Sequence, residues 1–145
     1  MFLMRTLTIL VVGALFGGGV WAQTLSFGTG SADMELSLNE MNIQAKADLQ
    51  AFSAELSVEF GIPELRIRSY VEDRRLEPAE VYLVLEIADI AGVEPEVVAD
   101  ERRKDKPGGW GAIARELGIK PGSPEFHELK RRTTGKDVGG GKPGR

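Results

Sequence analysis

The residues best suited to chemistry or recognition in this sequence gather in two places. The first is Pro107-Gly108-Gly109-Trp110-Gly111, where two glycines ahead of a helix start leave backbone N–H groups uncovered. Such uncovered groups can form an anion nest, and Lys104, Lys106 and Arg115 lie close by in sequence. Trp110 adds an aromatic face able to meet a ligand or a partner. The same residues also suit a purely structural role, with Trp110 on a core stripe beside Ile113, Ala114 and Leu117 and the glycines permitting a tight turn. Neither G-x-x-x-x-G-K-[ST] nor a G-x-G-x-x-G after a strand is present, so the spacing is not that of a nucleotide-binding loop. The second place is the C-terminal end, where Lys130, Arg131, Arg132, Lys136, Lys142 and Arg145 offer charge to an anionic polymer.

Catalytic constellations are harder to find. The chain has no cysteine, which excludes disulfides, thiolate zinc sites, iron-sulfur clusters and a cysteine nucleophile. Its one histidine, His127, excludes any site needing two imidazoles, and the flanking Glu125 and Glu128 are placed where adjacent helical positions point apart. No G-x-S-x-G elbow frames a serine, and no carboxylate pair stands out from the many glutamates. The reading is of a protein with no catalytic residue, no metal site and no cofactor.

Charge is distributed unevenly. The 145 residues carry 18 Lys plus Arg and 22 Asp plus Glu, a net of -4. Residues 23 to 101 hold 5 basic and 17 acidic side chains, whereas residues 102 to 145 hold 12 basic and 5 acidic. Such polarity either docks the basic end on the acidic body or serves partners of two signs.

The elements that must position these residues begin with a leader. Met1 to Ala22 has a single early charge, Arg5, then an apolar run from Leu7 to Val20 and small or moderate residues at Val20 and Ala22, the pattern of a cleavable export signal. That run is too short and too rich in glycine for a spanning helix, so no transmembrane helix is expected after cleavage. Residues 23–36, rich in Gly, Ser and Thr, read as a flexible leader. Ser37 and Glu40 then fit a capping box, and Leu38, Met41, Ala45, Leu49, Phe52, Leu56 and Phe60 recur at helical spacing up to Gly61.

Three junctions share one grammar: Gly61-Ile62-Pro63, Gly92-Val93-Glu94-Pro95 and Gly118-Ile119-Lys120-Pro121. In each, glycine can take the left-handed conformation that ends a helix, and proline suits the first turn of the next. The spacing predicts six helices, over about 37–60, 63–75, 78–91, 95–105, 109–117 and 124–132. The fold class is therefore all-α, a compact bundle spanning 37–132, followed by a disordered Gly/Lys/Arg tail over 133–145.

The segment Gly109-Trp110-Gly111-Ala112-Ile113-Ala114-Arg115-Glu116-Leu117-Gly118-Ile119-Lys120-Pro121-Gly122-Ser123-Pro124-Glu125-Phe126-His127-Glu128-Leu129-Lys130 resembles the C-terminal signature of a group of small exported bacterial proteins, GWGxIAxxLGIKPGSxEFHxLK. The region from Leu76 to Glu101, with Pro78-Ala79-Glu80-Val81-Tyr82, is similar to the segment preceding that signature. The resemblance implies a periplasmic or secreted bacterial setting and an all-α fold; it brings no activity, cofactor or catalytic residue.

These features together lead to the expectation of a non-enzymatic helical module of the bacterial envelope or exterior. It engages a protein partner through a groove between hairpins near Trp110 and Tyr82, with Lys104, Lys106 and Arg115 around it. The alternative is an electrostatic adaptor for anionic envelope polymers, working through the basic C-terminal segment. The junction grammar also suits helix-turn-helix proteins, but the acidic body would repel phosphates and no nucleic-acid partner is expected.

Overall fold

The structure, a computed structural model, describes residues 24–105 and 107–136. The expected signal peptide over 1–22, Lys106, and the stretch 137–145 with Lys142 and Arg145 lie outside the described residues. Among the described residues there are seven helices and no strand: α1 (Ala32–Ala47), α2 (Leu49–Phe60), α3 (Glu64–Glu72), α4 (Pro78–Ala91), α5 (Pro95–Arg103), α6 (Gly109–Glu116) and α7 (Pro124–Thr134).

The sequence of α4 explains the architecture. A helix that is apolar on every side must be covered on every side, and every residue of α4 from Pro78 to Ala88 is buried. Helices α1, α2, α3, α5 and α7 pack around it, while α6 packs on α5 and is tied to the N-terminal segment. The core gathers Leu38 and Met41 of α1, Phe52 and Leu56 of α2, Ile67 and Tyr70 of α3, and Val98, Trp110 and Leu129 from the later helices.

The glycine and proline grammar operates as expected at most junctions. Gly61 and Gly92 close α2 and α4 at φ 67° and 68°, and their N–H groups donate to the Ser57 and Ala88 carbonyls. Pro78, Pro95 and Pro124 each sit in the first turn of their helices. The Ser123 hydroxyl accepts the Phe126 N–H and caps α7.

The N-terminal half differs from the expectation in two respects. The segment read as one helix over 37–60 is two, broken at Asp48, whose backbone turns to φ -146°, ψ 81° and whose side chain accepts the Ala51 N–H. Asp competes with the helical backbone for its own hydrogen bonds, and here that competition ends α1 and starts α2. The apolar period carries on across the break, with Ala45, Leu49 and Phe52 all facing inward, so periodicity alone does not reveal it. The helix also begins five residues earlier than expected, which places Ser37 and Glu40 inside α1 rather than at its cap.

Residues 24–31 are not a free leader. Phe27 is buried in the core. The Glu35 carboxylate accepts N–H groups from Phe27 and Thr29 and the Thr29 hydroxyl, each at 2.8 Å. Asn39 binds both the N–H and the carbonyl of Leu25. Extended backbone with no helical partner of its own is thus satisfied by side chains of the first turns of α1.

The boundary of the C-terminal tail also moves. Helix α7 continues to Thr134, and Thr133 is wholly buried with its hydroxyl donating to the Leu129 carbonyl. A tail starting at residue 133 would leave that side chain outside, whereas it fills space beneath α7.

Candidate functional site

The Gly-rich turn before α6 owes its composition to the chain that lies across it. The N–H groups of Trp110 and Gly111 donate to the carbonyls of Phe27 and Gly28, at 2.9 and 2.8 Å. Two of the donors that the sequence offered to an anion are therefore taken by the N-terminal segment. A Cβ at Gly109 would lie 2.6 Å from the Phe27 carbonyl oxygen, and one at Gly111 would lie 3.0 Å from that of Gly28. These glycines permit two backbones to touch.

Trp110 itself is 2% exposed and belongs to the core. Its indole N–H donates to the Glu80 carboxylate at 3.2 Å, and that carboxylate also accepts Arg102 at 2.7 Å. The Arg102 guanidinium stands over the Trp110 ring, 5.9 Å from its centre. Glu80 in turn closes a capping box with Glu77 at the start of α4. This is an internal polar bridge between α4, α5 and α6, in which every buried polar group has a partner. The expectation that Trp110 lines an open groove is corrected by its burial.

Tyr82, the other aromatic expected at the groove, is also enclosed. It is wholly buried on α4, where its hydroxyl faces Glu86 and Thr133 without a well-aligned hydrogen bond to either. Burial, followed by the nearby Glu86 charge, pushes its pKa far above the ordinary phenol value. Lys136 lies over the ring at 5.2 Å and pairs with Glu55 at 3.4 Å and with Glu59. One helical turn along, the buried Glu86 carboxylate meets Arg132 at 3.0 Å, and the same guanidinium reaches Asp89 and Glu128. Burial raises the Glu86 pKa even against the opposing pull of Arg132.

The basic residues proposed for a polymer are therefore largely matched from within. Lys130 pairs with Asp33 of α1, Arg131 with Glu128, Arg132 with three carboxylates, and Lys136 with two. Of the residues expected around Trp110, Lys104 pairs with Glu101 at the end of α5, and Arg115 is exposed on α6. The cation that stands over the Trp110 ring is Arg102. His127 is exposed, with its ring edge-on to Phe126 at 6.5 Å. Among the described residues no cluster of His, Cys, Asp or Glu is arranged to hold a metal ion, and no helix is long and apolar enough to cross a membrane.

Some large apolar side chains are also left in solvent. Leu36 and Ile43 of α1 are 63% and 62% exposed, and Val58 and Leu65 at the α2–α3 corner are 87% and 78% exposed. Leu36 and Ile43 are seven residues apart, so they share one outward face of α1, with the exposed Glu40 between them. The helical-spacing argument singled out only the inward stripe of Leu38, Met41 and Ala45. The signal it passed over was a second, shorter apolar register on the same helix. No known family model matches the chain, and no curated protein or solved structure is significantly similar to it.

Proposed function

We propose that the chain is a non-enzymatic helical binding module of the bacterial envelope or exterior, exported by the segment Met1 to Ala22, and that it engages a protein partner through the outer face of α1. The observation that carries this reading is the pair Leu36 and Ile43, large apolar side chains left in solvent on one helix face while the core behind them is closed. A partner that covers them gains the hydrophobic free energy of their burial. Val58 and Leu65 extend the exposed apolar surface at another part of the molecule.

The internal pairing of Lys130, Arg131, Arg132 and Lys136 favours this reading over the electrostatic adaptor, because paired charges have less to offer a polymer. The test is capture of crosslinked partners from the host envelope by the native chain and by a Leu36→Ser/Ile43→Ser variant. Both positions are exposed, so the substitutions should change stability by no more than about 0.5 kcal/mol each. The expected result is one protein retained by the native chain at high salt and reduced at least tenfold in the variant. Unchanged capture would overturn the reading. Capture of anionic polymer alone, abolished by Lys142→Ser/Arg145→Ser, would put the adaptor in its place.

A further inference from the structure

A surface cleft of about 320 Å³ opens where the end of α1, the start of α2, the end of α3 and the start of α4 converge. Its walls are mainly apolar, formed by Leu49, Val71, Leu76 and Pro78. Three charged residues stand at its rim: Lys46, Glu77 and Arg75. It shares no residue with the outer face of α1, and only Glu77, through its capping box with Glu80, links it to the bridge around Trp110.

The rim charges are not equivalent. Lys46 and Glu77 pair with each other at 2.5 Å and cancel. Asn42 also donates to Glu77, which further fixes that carboxylate. Arg75 makes no ion pair or hydrogen bond among the described residues. The cleft is thus left with one uncompensated positive charge above an apolar floor.

The backbone at Arg75 gives independent reason to attend to its side chain. Arg75 has φ 58°, a left-handed conformation that L-residues with a Cβ disfavour. At the ends of α2 and α4 the chain meets the same requirement with Gly61 and Gly92. Glycine would serve the turn after α3 with less strain than arginine does. Strain at a surface position beside a cleft points to a role in binding.

We propose that this cleft binds a small amphipathic monocarboxylate, with its apolar body on Leu49, Val71, Leu76 and Pro78 and its carboxylate on Arg75. One unmatched guanidinium calls for one negative charge, and a carboxylate fits its planar fork. The volume is near the lower end for ligand pockets and equals that of roughly ten water molecules, which suits a chain of about six to ten carbons. The site is additional to the protein-binding face and does not depend on it.

Octanoate titrated into the isotope-labelled chain, followed through backbone amide resonances, tests the proposal. The expected result is saturable shifts at Leu49, Val71 and Leu76, absent with octylammonium at the same concentration. From butanoate to octanoate the affinity should rise by up to roughly fourfold per added methylene. Arg75→Gly should keep or raise thermal stability, because glycine prefers the left-handed backbone, while octanoate affinity falls about tenfold or more. Arg75→Gln, which retains most of the side chain, should show the same loss. No saturable shift at the cleft, an equal response to octylammonium, or undiminished affinity in both variants would each overturn the proposal.

Discussion

At Gly109 the backbone holds φ 58° and the Phe27 carbonyl oxygen occupies the space a side chain would need. Gly61 has a similar φ of 67° with nothing within 4 Å of a Cβ. The two positions separate conformational strain from steric collision. Gly61→Ala should cost about 1 kcal/mol, whereas Gly109→Ala should cost about 3 kcal/mol or more, because two backbones must part. Urea midpoints of the two variants measure the difference, and equal losses would mean that the N-terminal segment is not held against α6. The Tyr82 hydroxyl makes the opposite case. It is buried beside Glu86 and Thr133 without a well-aligned hydrogen bond to either, so Tyr82→Phe should change stability by no more than about 1 kcal/mol. A loss exceeding about 1 kcal/mol would show that the hydroxyl is satisfied in solution.

At the scale of elements, α3 and α5 are joined by one carboxylate. Glu96 accepts two hydrogen bonds from Arg66, at 3.0 and 2.6 Å, and one from Tyr70 at 2.7 Å. Arg66 beside it holds the Glu96 pKa down at about 2, below the ordinary 4.5, against the opposing effect of burial. Burial, reinforced by Glu96, pushes Tyr70 up to about 12. A carboxylate depressed on folding contributes stability above its unfolded pKa and loses that contribution as pH falls through its folded one. Stability should therefore decline between about pH 4.5 and pH 2, and Glu96→Gln should flatten that limb. Because the pair is partly exposed, the effect should be no more than about 1 kcal/mol. Denaturant midpoints at pH 6 and pH 3 decide it, and an unchanged slope in the variant would remove Glu96 as a source of acid sensitivity. The opposite sign applies to Glu86, whose raised pKa makes folding more favourable as pH falls through its folded value.

Across the whole molecule the two oppositely charged halves of the sequence close on each other. Arg102, Lys130, Arg132 and Lys136 reach acids of the earlier half at Glu80, Asp33, Glu86 and Glu59. Part of this closure runs through residues that composition assigns to a tail. Thr133 is buried, and Lys136 covers the Tyr82 ring with its side chain only 8% exposed. A chain ending at Arg132 should accordingly be less stable than one ending at Lys136 by about 2 kcal/mol, from the uncovered aromatic face and the lost packing of Thr133. Thermal unfolding of the two truncations compares them directly. Identical midpoints would return residues 133–136 to the tail.

Most helix ends could be read from the sequence because they depend on neighbours a few residues away. A left-handed glycine at Gly61 or Gly92, a proline in the first turn of α4, α5 and α7, and a serine cap at Ser123 are local choices of dihedral angle and hydrogen bond. The inward stripe of α1 and α2 was legible for the same reason, while the break at Asp48 was hidden beneath a period that continues through it. Burial of Trp110 and Tyr82, docking of the N-terminal segment on α6, and the pairing of Arg132 with Glu86 across 46 residues belong to the tertiary structure. The physical reason is that a helical pattern determines which face of an element must leave water but not which element will cover it. Whether an aromatic or a cation ends in the core, in a pair or in solvent is decided only when the covering element arrives.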